Sequence, residues 1–169
     1  GYRGSWSPET GVVDGWLVIE GRGDPDFHPE NLFLIARGLE QLGVTRVTGG
    51  LEITGPFTVG WEHGAEGRIA DPEQRALTMA QRARAALDRN RWSRTHRAAW
   101  NALCARRGWD AASPPTLRLL GPTAIATRAE YTPLLRHLSN PLEFILKRFN
   151  AYSNNDIIRV AEGLGGAVG

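Results

Sequence analysis

The chain has 169 residues, a formal net charge of +2 at pH 7, 41% hydrophobic residues and 22% charged residues. This composition is typical of a folded globular protein and excludes a disordered polyelectrolyte, and a chain of this length can bury a core without disulfides. No apolar run approaches the roughly 18 residues of a membrane-spanning helix, and the single cysteine, Cys104, excludes an internal disulfide and a cysteine-rich zinc site.

The first third of the chain predicts a strand, a helix and two more strands. Residues 16–20 are an apolar strand that ends in a Gly-rich turn. A helix is predicted from Pro29, a residue suited to a first helical position, to Gly43, a helix terminator. Its apolar face consists of Leu32, Ile35, Ala36, Leu39 and Leu42. Strands at 44–47 and 51–53 complete a small sheet with amphipathic helices, which places the chain in the α/β (α+β) class.

The middle of the chain, about residues 72–107, predicts two helices rich in arginine. Their apolar faces consist of Ala76, Ala80, Ala83 and Leu87 in the first, and Trp92, Ala99, Trp100, Leu103 and Cys104 in the second. From Arg75 to Arg107 there are nine arginines and a single acid, Asp88, a local charge of +8, so the remainder carries −6. This asymmetry predicts a basic surface for an acidic partner. The candidate partner-binding residues are Arg82, Arg84, Arg91 and Arg94.

Nucleic acid is a less favoured partner for the same helices. Arginines with neighbouring tryptophans can bind phosphates and bases. Trp100, however, lies on the apolar stripe of its helix, which favours a place in the core. A protein or polymer with an acidic surface is therefore the preferred interpretation.

The last third predicts two short strands and two helices. The strands lie near 117–120 and 124–128, and the next helix begins with Asn140 as its cap and Pro141 at its first position. A second helix begins at Ser153, which with Asp156 approximates a capping box. The same residues read Ser153-Asn154-Asn155, a Ser-x-Asn triplet of the kind found in one class of serine active site. The two interpretations are compatible.

Several short motifs indicate no cofactor or metal. Arg22-Gly23-Asp24 matches an adhesion tripeptide but also suits a turn after a strand. Asp24, Asp26 and His28 could ligate a cation, yet they match no recognised cation-binding loop. The four histidines are widely separated, and the sequence has neither a Gly-x-Ser-x-Gly motif nor a phosphate-binding loop with a following lysine.

Two stretches together resemble a known family. The segment "VVDGWLVIEGRGDPDFHPENLFLIARGLEQLGVTRVTGGLEI", with Gly23-Asp24-Pro25, Gly43 and Gly49-Gly50 at its turns, is similar to D-alanyl-D-alanine carboxypeptidases of the class C penicillin-binding protein type. Gly60-Trp61 also fits that family. The segment "LSNPLEFILKRFNAYSNNDIIRVAEGLGG" resembles the part of the family that carries its Ser-x-Asn motif. The arginine-rich middle matches weakly.

This resemblance implies a serine acyl-enzyme mechanism on the terminal D-Ala-D-Ala of peptidoglycan stem peptides. In the family a Ser-x-x-Lys motif supplies the nucleophile, and a Lys-Thr-Gly strand binds the substrate carboxylate. Only Ser153 and Asn155 match this machinery. Lys147 is the only lysine and Phe144 stands three residues before it, so the chain contains no Ser-x-x-Lys, and it has no Lys-Thr-Gly either.

The resemblance divides the chain into two regions and implies its setting. Residues 1–133 resemble an accessory α/β insertion with the arginine-rich helices at about 72–107, and residues 134–169 resemble a helical piece of the transpeptidase-like catalytic domain. We therefore expect a segment of an extracytoplasmic, periplasmic penicillin-binding protein that is inactive alone, although the sequence has no signal-peptide pattern. The alternative is a non-catalytic module that docks an acidic partner, so the sequence leaves enzyme activity open.

Overall fold

The computed structural model describes residues 1–60 and 69–152, which form a mixed sheet covered by helices. The strands are Tyr2–Ser7 (β1), Val12–Glu20 (β2), Arg46–Val47 (β3), Gly50–Thr54 (β4), Arg118–Leu119 (β5) and Thr123–Ala126 (β6). The helices are Pro29–Gln41 (α1), Pro72–Leu87 (α2), Arg94–Arg107 (α3) and Leu142–Tyr152 (α4), with a 3-10 turn at Arg89–Arg91. The predicted α/β class is confirmed.

The sheet is built around β2. Strand β1 pairs with it antiparallel along one edge, while β3 and β4 pair with it parallel along the other. Strand β3 lies beside the beginning of β2 and β4 beside its end, so the two short strands follow one another along the same edge of β2 with a break between them. Strands β5 and β6 repeat the arrangement: β5 is parallel to β3, and β6 is parallel to β4. Parallel neighbours require crossover connections, and α1 and the pair α2–α3 supply them.

A row of glycines crosses the sheet at the break between β3 and β4 and between β5 and β6. Gly4 lies opposite Gly15. A Cβ atom at Gly49 would stand 2.5 Å from the carbonyl oxygen of Gly15, and one at Gly121 would stand 2.2 Å from that of Gly49. No side chain fits at such distances, so the close backbone approach requires glycine. The Gly49-Gly50 pair seen in the sequence is part of this crossing.

Helices α1, α2 and α3 pack together, and aromatic rings fill the space between α1 and α3. Helix α1 contacts both α2 and α3. The ring of Phe33 in α1 lies 4.7 Å from that of Trp92 and 6.0 Å from that of Trp100. Both tryptophans and Cys104 are buried, as the apolar stripe predicted for Trp100 and Cys104. Trp92 differs from expectation in one respect, because it precedes α3, whose N-cap is Ser93.

The other predicted strands and helices before Ser153 are present with small shifts in their bounds, such as α4, which begins at Leu142 rather than Pro141, while β1 was missed. The helix predicted from Ser153 lies outside the described residues. Helix α1 has proline at its start and ends just before Gly43, which has a φ of 87°. Strand β1 contains a glycine and two serines, residues that are poor strand formers, although Tyr2 and Trp6 lie on the same face of it. Over residues 1–60 and 69–152, no helix is both long and apolar enough to span a membrane.

Candidate functional site

A cleft of about 570 Å³ lies at the carboxyl end of β2. The loops after β2 and β4 form one side, and the segment from Tyr131 to Ile145 forms the other. Its apolar lining includes Phe27, Ile35 and Phe57. In open α/β sheets, ligands bind beyond the carboxyl ends of the parallel strands, and this volume lies within the usual range for small-ligand sites. The cleft is therefore the principal candidate site.

The carboxylate of Asp26 joins the two sides of this cleft. Asp26 is 3% exposed, and its Oδ2 accepts a hydrogen bond from Asn140 Nδ2 at 3.0 Å. Its Oδ1 lies 3.2 Å from His28 Nε2. The backbone N–H of Asp26 donates to Asp24 Oδ1 at 2.9 Å, which fixes the turn before α1. The sequence singled out the three residues of this turn, but it gave Asn140 only the role of a helix cap.

Asp24, Asp26 and His28 make their contacts within the protein. In the part of the chain that the structure describes, no three His, Cys, Asp or Glu residues are grouped so that they could hold a metal ion. Asp24 is engaged with a backbone amide, while Asp26 and His28 contact each other. These contacts fix the loop between β2 and the start of α1.

His137 lies in the segment from Tyr131 to Ile145 that forms one side of the cleft. Its ring stands edge-on to Phe27, with centroids 5.7 Å apart. Burial lowers the pKa of His137, and the nearby Asp24 carboxylate opposes that shift only in part. We therefore expect the imidazole to be neutral at pH 7.

A hydrogen bond between Glu20 and Tyr131 links the end of β2 to the opposite wall. This bond is the main reason that the pKa of Glu20 is lowered and that of Tyr131 raised. Arg22 also pairs with Glu20, at 3.1 Å. The carboxylate of Glu20 is thus engaged on two sides.

The four arginines predicted to bind a partner occupy different environments. Arg82, Arg91 and Arg94 are exposed. Arg82 Nη1 donates to the carbonyl oxygen of Val59 at 3.3 Å, and Arg91 Nε lies 3.7 Å from Asp88 Oδ2. Arg84 is half-buried, and burial lowers the pKa of its guanidinium. The partner-binding role of these residues stays a prediction.

Arg84 instead belongs to the framework at the sheet edge. Its Nη2 donates to the carbonyl oxygen of Leu119 at 3.1 Å. The N–H of Leu119 donates to Asp88 Oδ2 at 3.3 Å. Two side chains from the arginine-rich segment therefore satisfy the backbone of β5.

The predicted catalytic residues Ser153 and Asn155 lie outside the described residues, so their role stays a prediction. Lys147, the only lysine, lies in α4 and pairs with Glu143 at 2.6 Å. Phe144 occupies the position where a Ser-x-x-Lys serine would stand, and it is 68% exposed.

Comparison with known proteins gives one informative likeness. No family model and no curated protein matches the chain. A predatory endopeptidase from Bdellovibrio bacteriovorus has a similar solved structure, with a TM-score of 0.53 and 24% sequence identity. The match covers 83% of this chain and 35% of that protein, so the chain spans about a third of its length. At this identity the likeness shows the fold, the same α/β arrangement seen in a peptidase.

Proposed function

We propose that this chain is the α/β part of a larger serine peptidase of the D-alanyl-D-alanine carboxypeptidase type, acting on peptidoglycan stem peptides outside the cytoplasm. The observation that carries the proposal is the structural likeness to about a third of an endopeptidase, over 83% of this chain. The order of the two family-like stretches in the sequence supports it. Residues 1–133 are then the accessory α/β region, and residues 134–169 return toward the catalytic domain.

In this proposal the chain is inactive by itself. An acyl-enzyme needs an activated serine, and the family's activating lysine follows that serine by three residues. The single lysine here follows Phe144, and its ammonium pairs with Glu143. Ser153 and Asn155 would contribute a hydroxyl and a carboxamide to a nucleophile supplied from elsewhere.

The proposal is tested with fluorescent penicillin, which labels the nucleophilic serine of such enzymes. The 169-residue chain should show no covalent label. The complete open reading frame that contains it should encode Ser-x-x-Lys before Gly1 and Lys-Thr-Gly after Gly169, and its product should be labelled. Labelling of the short chain would refute its inactivity, and an unlabelled full product without these motifs would refute the peptidase assignment.

A second function, docking of an acidic partner, is favoured by the exposure of arginines in the charged segment. Seven of its nine arginines are exposed: Arg82, Arg89, Arg91, Arg94, Arg97, Arg106 and Arg107. Surface charge of one sign attracts polyanions, and salt weakens that attraction by screening. Both tryptophans of this segment are buried, which removes the stacking surfaces that a nucleic-acid partner would use.

Polyglutamate is a suitable probe for this second function. Replacing Arg82, Arg91 and Arg94 with glutamine should weaken its binding roughly threefold or more at low salt. Arg84 is left unchanged because it supports β5. The matched control replaces Arg46, Arg118 and Arg128, which are exposed elsewhere on the protein. Equal binding by the two triple variants would contradict docking through this surface.

A further inference from the structure

One wall of the cleft carries a group of exposed leucines. Leu135, Leu138 and Leu142 line the cleft and are 41%, 70% and 48% exposed. Ile145, on the first turns of α4, is buried beside them. Large apolar side chains grouped in one concave place indicate a binding surface, whereas single exposed leucines are ordinary.

Most charged groups around the cleft already have partners within the protein. Glu20 is bound by Tyr131 and Arg22, and Asp24 accepts a backbone N–H. Asp26 is buried and engaged with Asn140 and His28. Each of these carboxylates therefore has at least one partner within the protein.

Arg136 differs from these acids. It lines the cleft and is exposed, and among the described residues it forms no hydrogen bond or ion pair. His137, its neighbour, is expected to be neutral at pH 7 because burial lowers its pKa. An anionic group on a ligand would therefore find a partner in Arg136.

Two hydroxyl groups add hydrogen-bonding capacity on opposite sides of the cleft. Thr58 follows β4, and Ser139 precedes α4. Neither side chain has a hydrogen-bond partner within residues 1–60 and 69–152, although each can donate and accept. A purely aliphatic ligand would offer these hydroxyls no hydrogen bond, whereas peptide amides could pair with both.

We propose that this cleft binds a short peptide segment in which aliphatic side chains flank one carboxylate. The leucines receive the aliphatic side chains, Arg136 pairs with the carboxylate, and Thr58 and Ser139 bond to the peptide backbone. This binding is independent of the peptidase assignment, because it uses no nucleophile and no residue of the Ser-x-Asn motif.

The proposal is tested by fluorescence anisotropy with labelled Leu-Leu-Glu-Leu-Leu amide and its glutamine analogue, using the 169-residue chain. The glutamate peptide should bind about two- to fivefold more tightly, the range expected for a partly exposed ion pair. Arg136→Gln should abolish that preference, while Arg118→Gln, at an exposed arginine outside the cleft, should retain it.

A second pair of variants tests the apolar wall. Leu138→Ser should weaken binding of both peptides roughly three- to tenfold, because less aliphatic surface is buried. Leu120→Ser, at an exposed leucine outside the cleft, should leave binding unchanged. Both leucines are largely exposed, so folding should persist.

Three results would overturn the proposal: no saturable binding at millimolar peptide, equal binding of the glutamate and glutamine peptides, or an affinity for decanoate that matches the glutamate peptide. The last would indicate a fatty-acid site. Because none of these measurements involves acylation, their outcome is separate from that of penicillin labelling.

Discussion

The backbone of Leu119 shows how single side chains close an edge of the sheet. Strand β5 pairs with β3 on its inner side, so the outer N–H and C=O of Leu119 have no strand partner. Asp88 Oδ2 accepts a hydrogen bond from the N–H of Leu119, and Arg84 Nη2 donates one to the carbonyl oxygen of Leu119. Asp88 also accepts from the backbone N–H of Asn90 at 3.1 Å, which caps the 3-10 turn. The only acid of the basic segment thus has a structural role.

Removing the carboxylate of Asp88 should lower the stability of the folded protein. Asp88 is 4% exposed, and Asp88→Ala would leave the N–H of Leu119 without an acceptor and Arg84 without its neighbouring charge. Because buried groups left unpaired cost about 1–3 kcal/mol each, we expect the free energy of unfolding to fall by about 2–4 kcal/mol. Urea unfolding followed by tryptophan fluorescence measures this change.

Asp71→Ala is the matched control for that experiment. Asp71 caps the other end of the same helix, where its side chain accepts from the N–H of Glu73 at an exposed position. Loss of an exposed cap costs about 1 kcal/mol. If the two variants lost equal stability, the buried bonds of Asp88 would be no stronger than an ordinary cap.

At the scale of an element, the start of α3 depends on a neutral histidine. His96 N–H donates to Ser93 Oγ at 3.2 Å, and Ser93 N–H donates to His96 Nδ1 at 3.3 Å, which together form a capping box. Nδ1 can accept only while it carries no proton. The positive end of the helix dipole also disfavours an imidazolium at this position. Burial lowers the pKa of His96 below its ordinary value of 6.5.

This lowered pKa predicts a pH dependence of stability. As the pH falls, the unfolded chain takes up the histidine proton before the folded protein does. Stability from His96 is therefore complete above about pH 6.5 and is lost as the pH falls through the lowered value of the folded state. His137 has a lowered pKa for the same reason and acts in the same direction. Denaturant unfolding at pH 7.5 and pH 5.5 should thus show lower stability at the acid value.

His96→Gln separates the helix cap from the titration. Glutamine at this position retains a capping side chain but does not titrate. We expect the variant to match the parent at pH 7.5 within about 1 kcal/mol and to lose less stability on acidification. A pH dependence as steep as that of the parent would mean that His96 does not contribute to it.

Over the whole molecule, local sequence patterns predicted elements better than contacts between distant residues. The apolar repeat from Leu32 to Leu39, with proline before it and glycine after it, was sufficient for α1. The arginine-rich helices were equally clear because their apolar stripes have helical spacing. The pairing of Asp26 with Asn140 joins residues 114 positions apart, and no local periodicity records such a contact. The cleft between them was missed for that reason.

The same contact predicts how the segment of residues 134–147 is held against the loop between β2 and α1. Asn140→Ala removes the hydrogen bond to the buried Asp26 carboxylate, while the contact of Phe27 with His137 remains. Hydrogen bonds to charged groups contribute about 1.5–3 kcal/mol, so local opening should become roughly 10- to 150-fold more frequent. Amide hydrogen exchange over 134–147 should accelerate accordingly, and exchange in β2 and β4 should not.

Ser139→Ala is the matched control, because Ser139 is next to Asn140 and its side chain forms no hydrogen bond among the described residues. This variant should change exchange neither in residues 134–147 nor in the sheet. Acceleration throughout the sheet in the Asn140 variant would contradict the prediction and mean that this segment and the sheet unfold together.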